Sequence, residues 1–247
     1  MKIVVRKRML GAVPLLEVVP YEMRNEKLPL IIYYHGWQSS KELNLTQARS
    51  LAREGFRILL PDSMNHGERK QPISKIPSFT FWQSIQSNLF EFGFILDHFR
   101  KKGVVSDVIG VGGLSMGGMT TCGLLTHHPE IKAAACVMGS PKLVAYRDRI
   151  QANVKAVDRY LPKDYETLTN WIPEYDLSLQ TEKIADRPFF IWHGRQDVVV
   201  PYEDTAAFVA ENPDLKSIQF VSEEEEHLVK SPTMEKVTDF FVKALLN

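Results

Sequence analysis

A mostly parallel α/β sheet with helices on both faces is the fold class that this 247-residue sequence predicts. Three observations lead there. Short runs dense in Val, Ile, Leu and Phe recur along the chain, too short for helices and too uniformly apolar for strands with one wet face. Stretches with helical periodicity separate these runs, the rhythm of βαβ units. The first two runs depart from that rhythm, because only Gly11-Ala12 lies between them, and a link so short makes an antiparallel hairpin.

Taken in order, the predicted strands of the hairpin are Lys2–Leu10 and Val13–Val19. LPLIIYY (28–34) is the next strand, followed by a polar loop and a helix around Leu43–Arg53. GFRILLP (55–61) leads through a long loop to a helix over Trp82–Arg100. SDVIGVGG (106–113) precedes a helix at Met116–Thr126, and KAAACVMGS (132–140) follows. RPFFIWHG (187–194), a helix near Glu203–Glu211, the strand LKSIQFVS (215–222) and a helix over Thr233–Leu246 complete the chain. The interval from Pro141 to Asp186 breaks the rhythm and carries Tyr146, Tyr160, Tyr165, Trp171 and Tyr175. Long insertions in compact domains commonly cover a site. The expectation is a single domain over 1–247 with a small helical cap at 141–186.

Composition narrows the function classes. Thirty basic residues balance thirty acidic ones, and 44% of the chain is hydrophobic. A chain without net charge offers no electrostatic footprint for nucleic acid or an anionic membrane. No segment approaches the roughly 18 apolar residues of a spanning helix, and MKIVVRKRML lacks the apolar core of a secretion signal. Two cysteines, Cys122 and Cys136, are too few for a disulfide framework or thiolate metal site and are expected as buried thiols. A cytoplasmic protein without metal or organic cofactor is expected; its oligomeric state is not legible.

In a parallel sheet, ligands sit beyond the carboxyl ends of the strands, so the residues following each strand carry the functional question. After SDVIGVGG comes Gly113-Leu114-Ser115-Met116-Gly117, a G-x-S-x-G pattern. Alone the pattern carries little, but here it joins a buried strand to a helix, the setting of a nucleophile elbow. A serine on so tight a turn is strained, and glycines two residues either side remove the collisions that side chains would make. The new helix directs free N–H groups and its positive dipole end at the serine.

A site of this kind takes one oxyanion donor from the residue after the nucleophile and one from the loop after an earlier strand. Those are the main-chain N–H groups of Met116 and of Trp37, in His35-Gly36-Trp37. His35 itself is expected to shape the loop, and a second pair, His66-Gly67, to brace it or line the pocket mouth. Asp197 lies in a turn after the strand RPFFIWHG, placed to receive an imidazole N–H; its plainer reading is a turn-forming residue. Seven histidines occur, and only His227 lies beyond Asp197, as the chain order Ser, Asp, His requires. It ends the run SEEEEHL (222–228), whose glutamates either raise the pH at which an imidazole base becomes neutral or stay screened by solvent.

G-x-S-x-G at 113–117, H-G-W at 35–37, H-G-R-Q-D-V-V-V-P at 193–201 and the late His227 together resemble the α/β-hydrolase superfamily. Within it the sequence is most similar to small serine esterases related to dienelactone hydrolases and to prolyl-oligopeptidase-like catalytic domains, including acylaminoacyl peptidases. The resemblance covers the chain from about Leu28 onward. It implies a serine carboxylesterase acting on small-molecule esters, with Ser115 as nucleophile, His227 as base and Asp197 as its orienting acid; the aromatic residues of 141–186 and Trp37 suggest a modest apolar pocket and hence a preference for short acyl chains. A thioesterase, lactonase or small peptidase would use the same residues, and a non-catalytic binding protein would be expected to have lost one of them. Dienelactone hydrolases proper use cysteine where this chain has Ser115. The family commonly has a small residue before the histidine, where this chain has Glu226. Trp37, Tyr146 and Trp171 are the expected wall of an apolar substrate pocket.

Overall fold

The computed structural model describes residues 1–70 and 76–247. Eight strands form one sheet: β1 (Ile3–Leu10), β2 (Val13–Pro20), β3 (Leu28–Tyr34), β4 (Arg57–Pro61), β5 (Val105–Leu114), β6 (Ile131–Val137), β7 (Phe189–Gly194) and β8 (Ile218–Glu223). Their spatial order is β1-β2-β4-β3-β5-β6-β7-β8. The hairpin β1–β2 pairs Leu10 with Val13 and joins the sheet antiparallel to β4, while every later pairing is parallel. The glycine at the turn, Gly11, takes φ +55°, the left-handed conformation that a two-residue hairpin loop favours.

The described residues form seven helices around the sheet: α1 (Leu45–Arg53), α2 (Pro77–Lys101), α3 (Met116–His127), α4 (Leu143–Ala156), α5 (Tyr165–Leu168), α6 (Tyr202–Glu211) and α7 (Ser231–Leu245). One core cluster joins one sheet face to α2, α3 and the segment between β6 and β7, through Trp82, Phe92, Met119 and Tyr165. The other joins the opposite face to α1 and α7, through Leu51, Phe56, Trp192 and Phe241. The all-buried patterns of β2, β4 and β7 are what a sheet covered on both faces demands. Both cysteines are buried and free of disulfide.

Element boundaries differ from the sequence reading where turn chemistry competes. The helix expected from Leu43 is a 3-10 turn at Lys41–Asn44 followed by α1. The helix expected from Trp82 begins at Pro77. The final strand starts at Ile218 rather than residue 215, because Leu215 and Lys216 are held in turns. The long loop expected after Pro61 includes residues 71–75, which lie outside the described residues. Among the described residues, no helix is long and apolar enough to cross a membrane.

The interval 141–186 folds as α4, α5 and three 3-10 turns. Its turns are tied to one another and to α2. Asp176 accepts the Val144 and Ser178 N–H groups at 2.7 and 2.9 Å, and Trp82 Nε1–H on α2 donates to the Tyr165 hydroxyl at 2.9 Å.

Candidate active site

Ser115, Asp197 and His227 leave the sheet after β5, β7 and β8 and converge beyond its carboxyl edge. Ser115 adopts φ 53° and ψ −112°, a strained conformation for a residue with a Cβ. The contacts around it show what holds that strain. A Cβ on Gly113 would fall 2.4 Å from the Gly117 backbone, and one on Gly117 would fall 2.3 Å from the Tyr34 carbonyl oxygen. Only glycine fits at either position, so strand, turn and helix lock together. The Ser115 N–H donates to the Val137 carbonyl at 2.8 Å, and the Ser115 carbonyl accepts from the Met119 N–H at 2.9 Å.

His227 Nε2 lies 2.9 Å from Ser115 Oγ, and His227 Nδ1 lies 2.6 Å from Asp197 Oδ2. The Asp197 side chain is buried, with Oδ1 accepting the Val199 and Val200 N–H groups at 2.9 and 3.0 Å. Burial alone would raise its pKa. Hydrogen bonds from His193 and His227 outweigh burial and hold the carboxyl well below the usual carboxylate range. Ionised Asp197 therefore accepts from His227 Nδ1–H, which leaves Nε2 as the acceptor for the serine proton. A hydroxyl bonded to an imidazole that an ionised carboxylate orients is the arrangement that activates a nucleophile.

His193, the first residue of the motif at 193–201, also joins this group. His193 is fully buried, and its Nε2 sits 2.7 Å from the Val200 carbonyl and 3.2 Å from Asp197 Oδ2. Since a carbonyl only accepts, Nε2 carries the proton, and that same N–H, aimed at Val200, also lies within reach of the carboxylate. A histidine exactly four residues before the acid, at the end of the same strand, was the available signal.

The loop after β3 runs beside the serine: a Cβ on Gly36 would lie 3.6 Å from Ser115 Cβ. Ser63 N–H donates to His35 Nε2 at 3.1 Å, so Nδ1 holds the ring proton and donates to the Gly36 carbonyl at 2.8 Å. Burial brings the His35 pKa down to about 4, keeping the ring neutral. In a trans peptide the carbonyl and N–H point in opposite directions. Fixing the Gly36 carbonyl thus fixes the Trp37 N–H. Among the described residues, neither the Trp37 nor the Met116 N–H donates a hydrogen bond. His66 packs against the Trp37 indole, ring centroids 4.8 Å apart, and braces the loop.

A cleft of about 470 Å³ opens over Ser115 and His227, walled by Trp37, Phe81, Met138, Tyr146, Ile150 and Val199 among others. Tyr146 and Ile150 come from α4, so the insertion contributes directly to the cleft. Trp171 is not among the described residues of its wall. It packs edge-on against Trp82 and Tyr175, with centroids 6.3 and 6.0 Å apart, one layer further out. Aromatic composition marked the insertion as one that packs on the domain, but not which side chain reaches the cavity.

The glutamate run is less negative than it reads. Glu223 pairs with Lys236, Glu224 with Arg195 at 3.0 Å and Glu225 with Lys230 at 2.5 Å, leaving Glu226 exposed. The hydrogen bond from Lys236, with those from Trp192 and Thr233, holds Glu223 below its ordinary pKa. The run's backbone is clamped to the β7 turn by Arg195 N–H to the Glu223 carbonyl (2.8 Å) and Gln196 N–H to the Glu225 carbonyl (3.0 Å). Glu226 does not occupy the positive-φ region, so no glycine is needed before His227. The close approach falls instead on Gly194, where a Cβ would meet the Glu225 carbonyl oxygen at 2.2 Å.

The sheet order, the elbow and the hydrogen-bonded residues at its carboxyl edge define a hydrolase-type α/β architecture. The chain belongs to the alpha/beta hydrolase fold family, whose model matches residues 29–183. It is 35% identical over 252 residues to YitV of Bacillus subtilis (strain 168), an esterase by name, covering 96% of this chain and 97% of that relative. It is 28% identical over 202 residues to the esterase YjfP of Escherichia coli (strain K12), covering 81% of each. Among solved structures, TT1662 from Thermus thermophilus superposes over the whole of both chains with a TM-score of 0.77 at 17% identity.

Proposed function

We propose that the protein is a serine carboxylesterase that hydrolyses small-molecule esters of short acyl chains through an acyl-enzyme on Ser115. The observation that carries this reading is the continuous chain from Ser115 Oγ through both ring nitrogens of His227 to buried Asp197. Kinship with relatives named as esterases supports the ester as substrate.

Ser115 Oγ attacks the ester carbonyl as its proton passes to His227 Nε2. Asp197 stabilises the imidazolium without taking its proton. Charge building on the carbonyl oxygen is met by the Trp37 and Met116 N–H groups, and removing one such donor typically costs about 10²–10³ in rate. His227 returns the proton to the departing alcohol. Water, activated by the same ring, then releases the acid. The acyl chain occupies the apolar cleft beneath α4, and the insertion 141–186 serves as a cap over it.

A series of p-nitrophenyl esters from acetate to palmitate tests the reading. Highest kcat/KM is expected at short acyl chains. A maximum at long chains would overturn the acyl preference, and no turnover of any ester would overturn the esterase reading. Faster turnover of matched thioesters or lactones would transfer the same machinery to those substrates.

A further inference from the structure

A second cavity, about 700 Å³, opens between α1 and α7 beside the catalytic cleft. Ser115 and Trp37 line only the cleft, whereas Leu43, Leu114, Met138 and His227 line both cavities and so form the partition between them. His227 belongs to the catalytic chain, Leu114 to the elbow, and Leu43 is exposed at the mouth. Met138 is the member free of those duties. Beyond it the groove offers Leu228, Val229 and Met234, and Met138 packs with Val229 and Met234 on the sheet face that α1 and α7 cover.

Met138 follows β6 and adopts φ +44°, where residues other than glycine, asparagine or aspartate are uncommon. Three contacts hold it there. Its N–H donates to the Trp192 carbonyl at 2.8 Å, and the Val137 carbonyl before it accepts the Ser115 N–H at 2.8 Å. Gly139 after it is pressed on α3 so closely that a Cβ there would fall 2.9 Å from the Gly118 backbone. Glycine would adopt the Met138 backbone without strain, yet the chain carries a long thioether. What the position needs is therefore the side chain, and strain kept beside a site is a sign of function.

We propose that Met138 sets the reach of the acyl chain. Its side chain closes the catalytic cleft toward the groove between α1 and α7, so a chain that outgrows the cleft finds no further apolar wall to bury against. The inference rests on the esterase reading above and names the residue behind its short-chain preference. Apolar burial is worth about fourfold in kcat/KM per methylene. A chain admitted past position 138 by only two methylenes would therefore gain more than about tenfold.

The test measures kcat/KM for p-nitrophenyl butyrate and p-nitrophenyl laurate. The laurate-to-butyrate ratio is expected to rise about tenfold in both Met138→Ala and Met138→Gly. It is expected to keep its wild-type value in Met138→Leu, which conserves the volume. Met138→Ala removes the partition without freeing the backbone, so a gain in Met138→Gly alone would assign the effect to relaxed strain and overturn the inference. Thr46 lines the groove but not the cleft. Adding Thr46→Trp to Met138→Ala is expected to return the ratio to the wild-type value, because the indole fills the space that the chain has entered. An unchanged ratio in the folded short variants, or a gain that Thr46→Trp leaves intact, overturns the inference, while hydrolysis of the butyrate keeps the esterase reading. If wild type hydrolyses neither ester, the esterase reading falls first and this inference with it.

Discussion

The elbow at Ser115 and the loop at His227 bring two halves of one hydrogen-bonded chain together by opposite means. At the elbow, neutral backbone contacts do the holding: Gly113 against Gly117, Gly117 against Tyr34, Ser115 N–H on Val137. Around His227, three glutamates pair with lysine or arginine on neighbouring segments, and two backbone bonds tie the run to the β7 turn. The nucleophile is thus fixed by sterics that neither salt nor pH reaches. The base is placed by a peripheral loop whose exposed ion pairs are each worth little. The buried link through Asp197, the two backbone bonds and the contact at Gly194 give that loop its defined position.

Perturbations on the loop side measure how much of the machinery depends on that buried link. Asp197→Asn is expected to have the largest effect, lowering kcat by about 10⁴-fold, because an amide does not hold the imidazole in the required tautomer. Steady-state ester hydrolysis reads it, and a loss under tenfold would mean His227 is oriented by other groups. Gly194→Ala comes next. Its Cβ would meet the Glu225 carbonyl oxygen at 2.2 Å, forcing the loop away from the serine. A displacement near 1 Å costs about 10² in rate, so kcat is expected to fall by that order while fluorophosphonate still reaches a correctly folded elbow slowly.

A smaller effect concerns stability on the oxyanion side. His35 has its pKa brought down to about 4 by burial, below the ordinary value of 6.5. Between those limits the unfolded chain binds the extra proton and the folded one does not. Stability from this group is therefore complete above about pH 6.5 and is lost as pH falls toward 4. Urea midpoints measured across that window are expected to drop with pH more steeply in wild type than in His35→Gln; parallel slopes would remove His35 as the cause. The smallest effect is expected from Glu225→Gln combined with Glu226→Gln. Fewer negative charges favour neutral imidazole, so the acid limb of the pH–rate profile moves to lower pH. With Glu225 paired to Lys230 and Glu226 exposed, the displacement is expected to stay below about half a unit. A shift beyond one unit would show that the run tunes the base strongly.

The same contrast explains what the sequence made legible. Gly113, Ser115 and Gly117 could be read together because their steric demands are met within five residues, directly after a recognisable buried strand. The β-strand rhythm was readable for a similar reason: burial on both faces leaves uniformly apolar runs. Gly194 and His193 went unassigned because what they serve is spatial; the carbonyl approaching Gly194 belongs to Glu225, and Asp197 is shared with a ring 34 positions beyond His193. The glutamate run looked like a block of charge because Lys236 and Arg195, which pair with two of its members, lie on α7 and after β7. Trp171 was read as pocket wall from its aromatic company, but burial of an aromatic residue says nothing about which neighbour it packs against.

Labelling with a fluorophosphonate probe, with mass spectrometry of the modified peptide in wild type and His227→Ala, tests the central claim most directly. A single adduct on Ser115 that disappears in the variant is the expected result. An adduct elsewhere, or undiminished labelling of Ser115 without His227, would contradict the account, because the serine would then owe its reactivity to some other group.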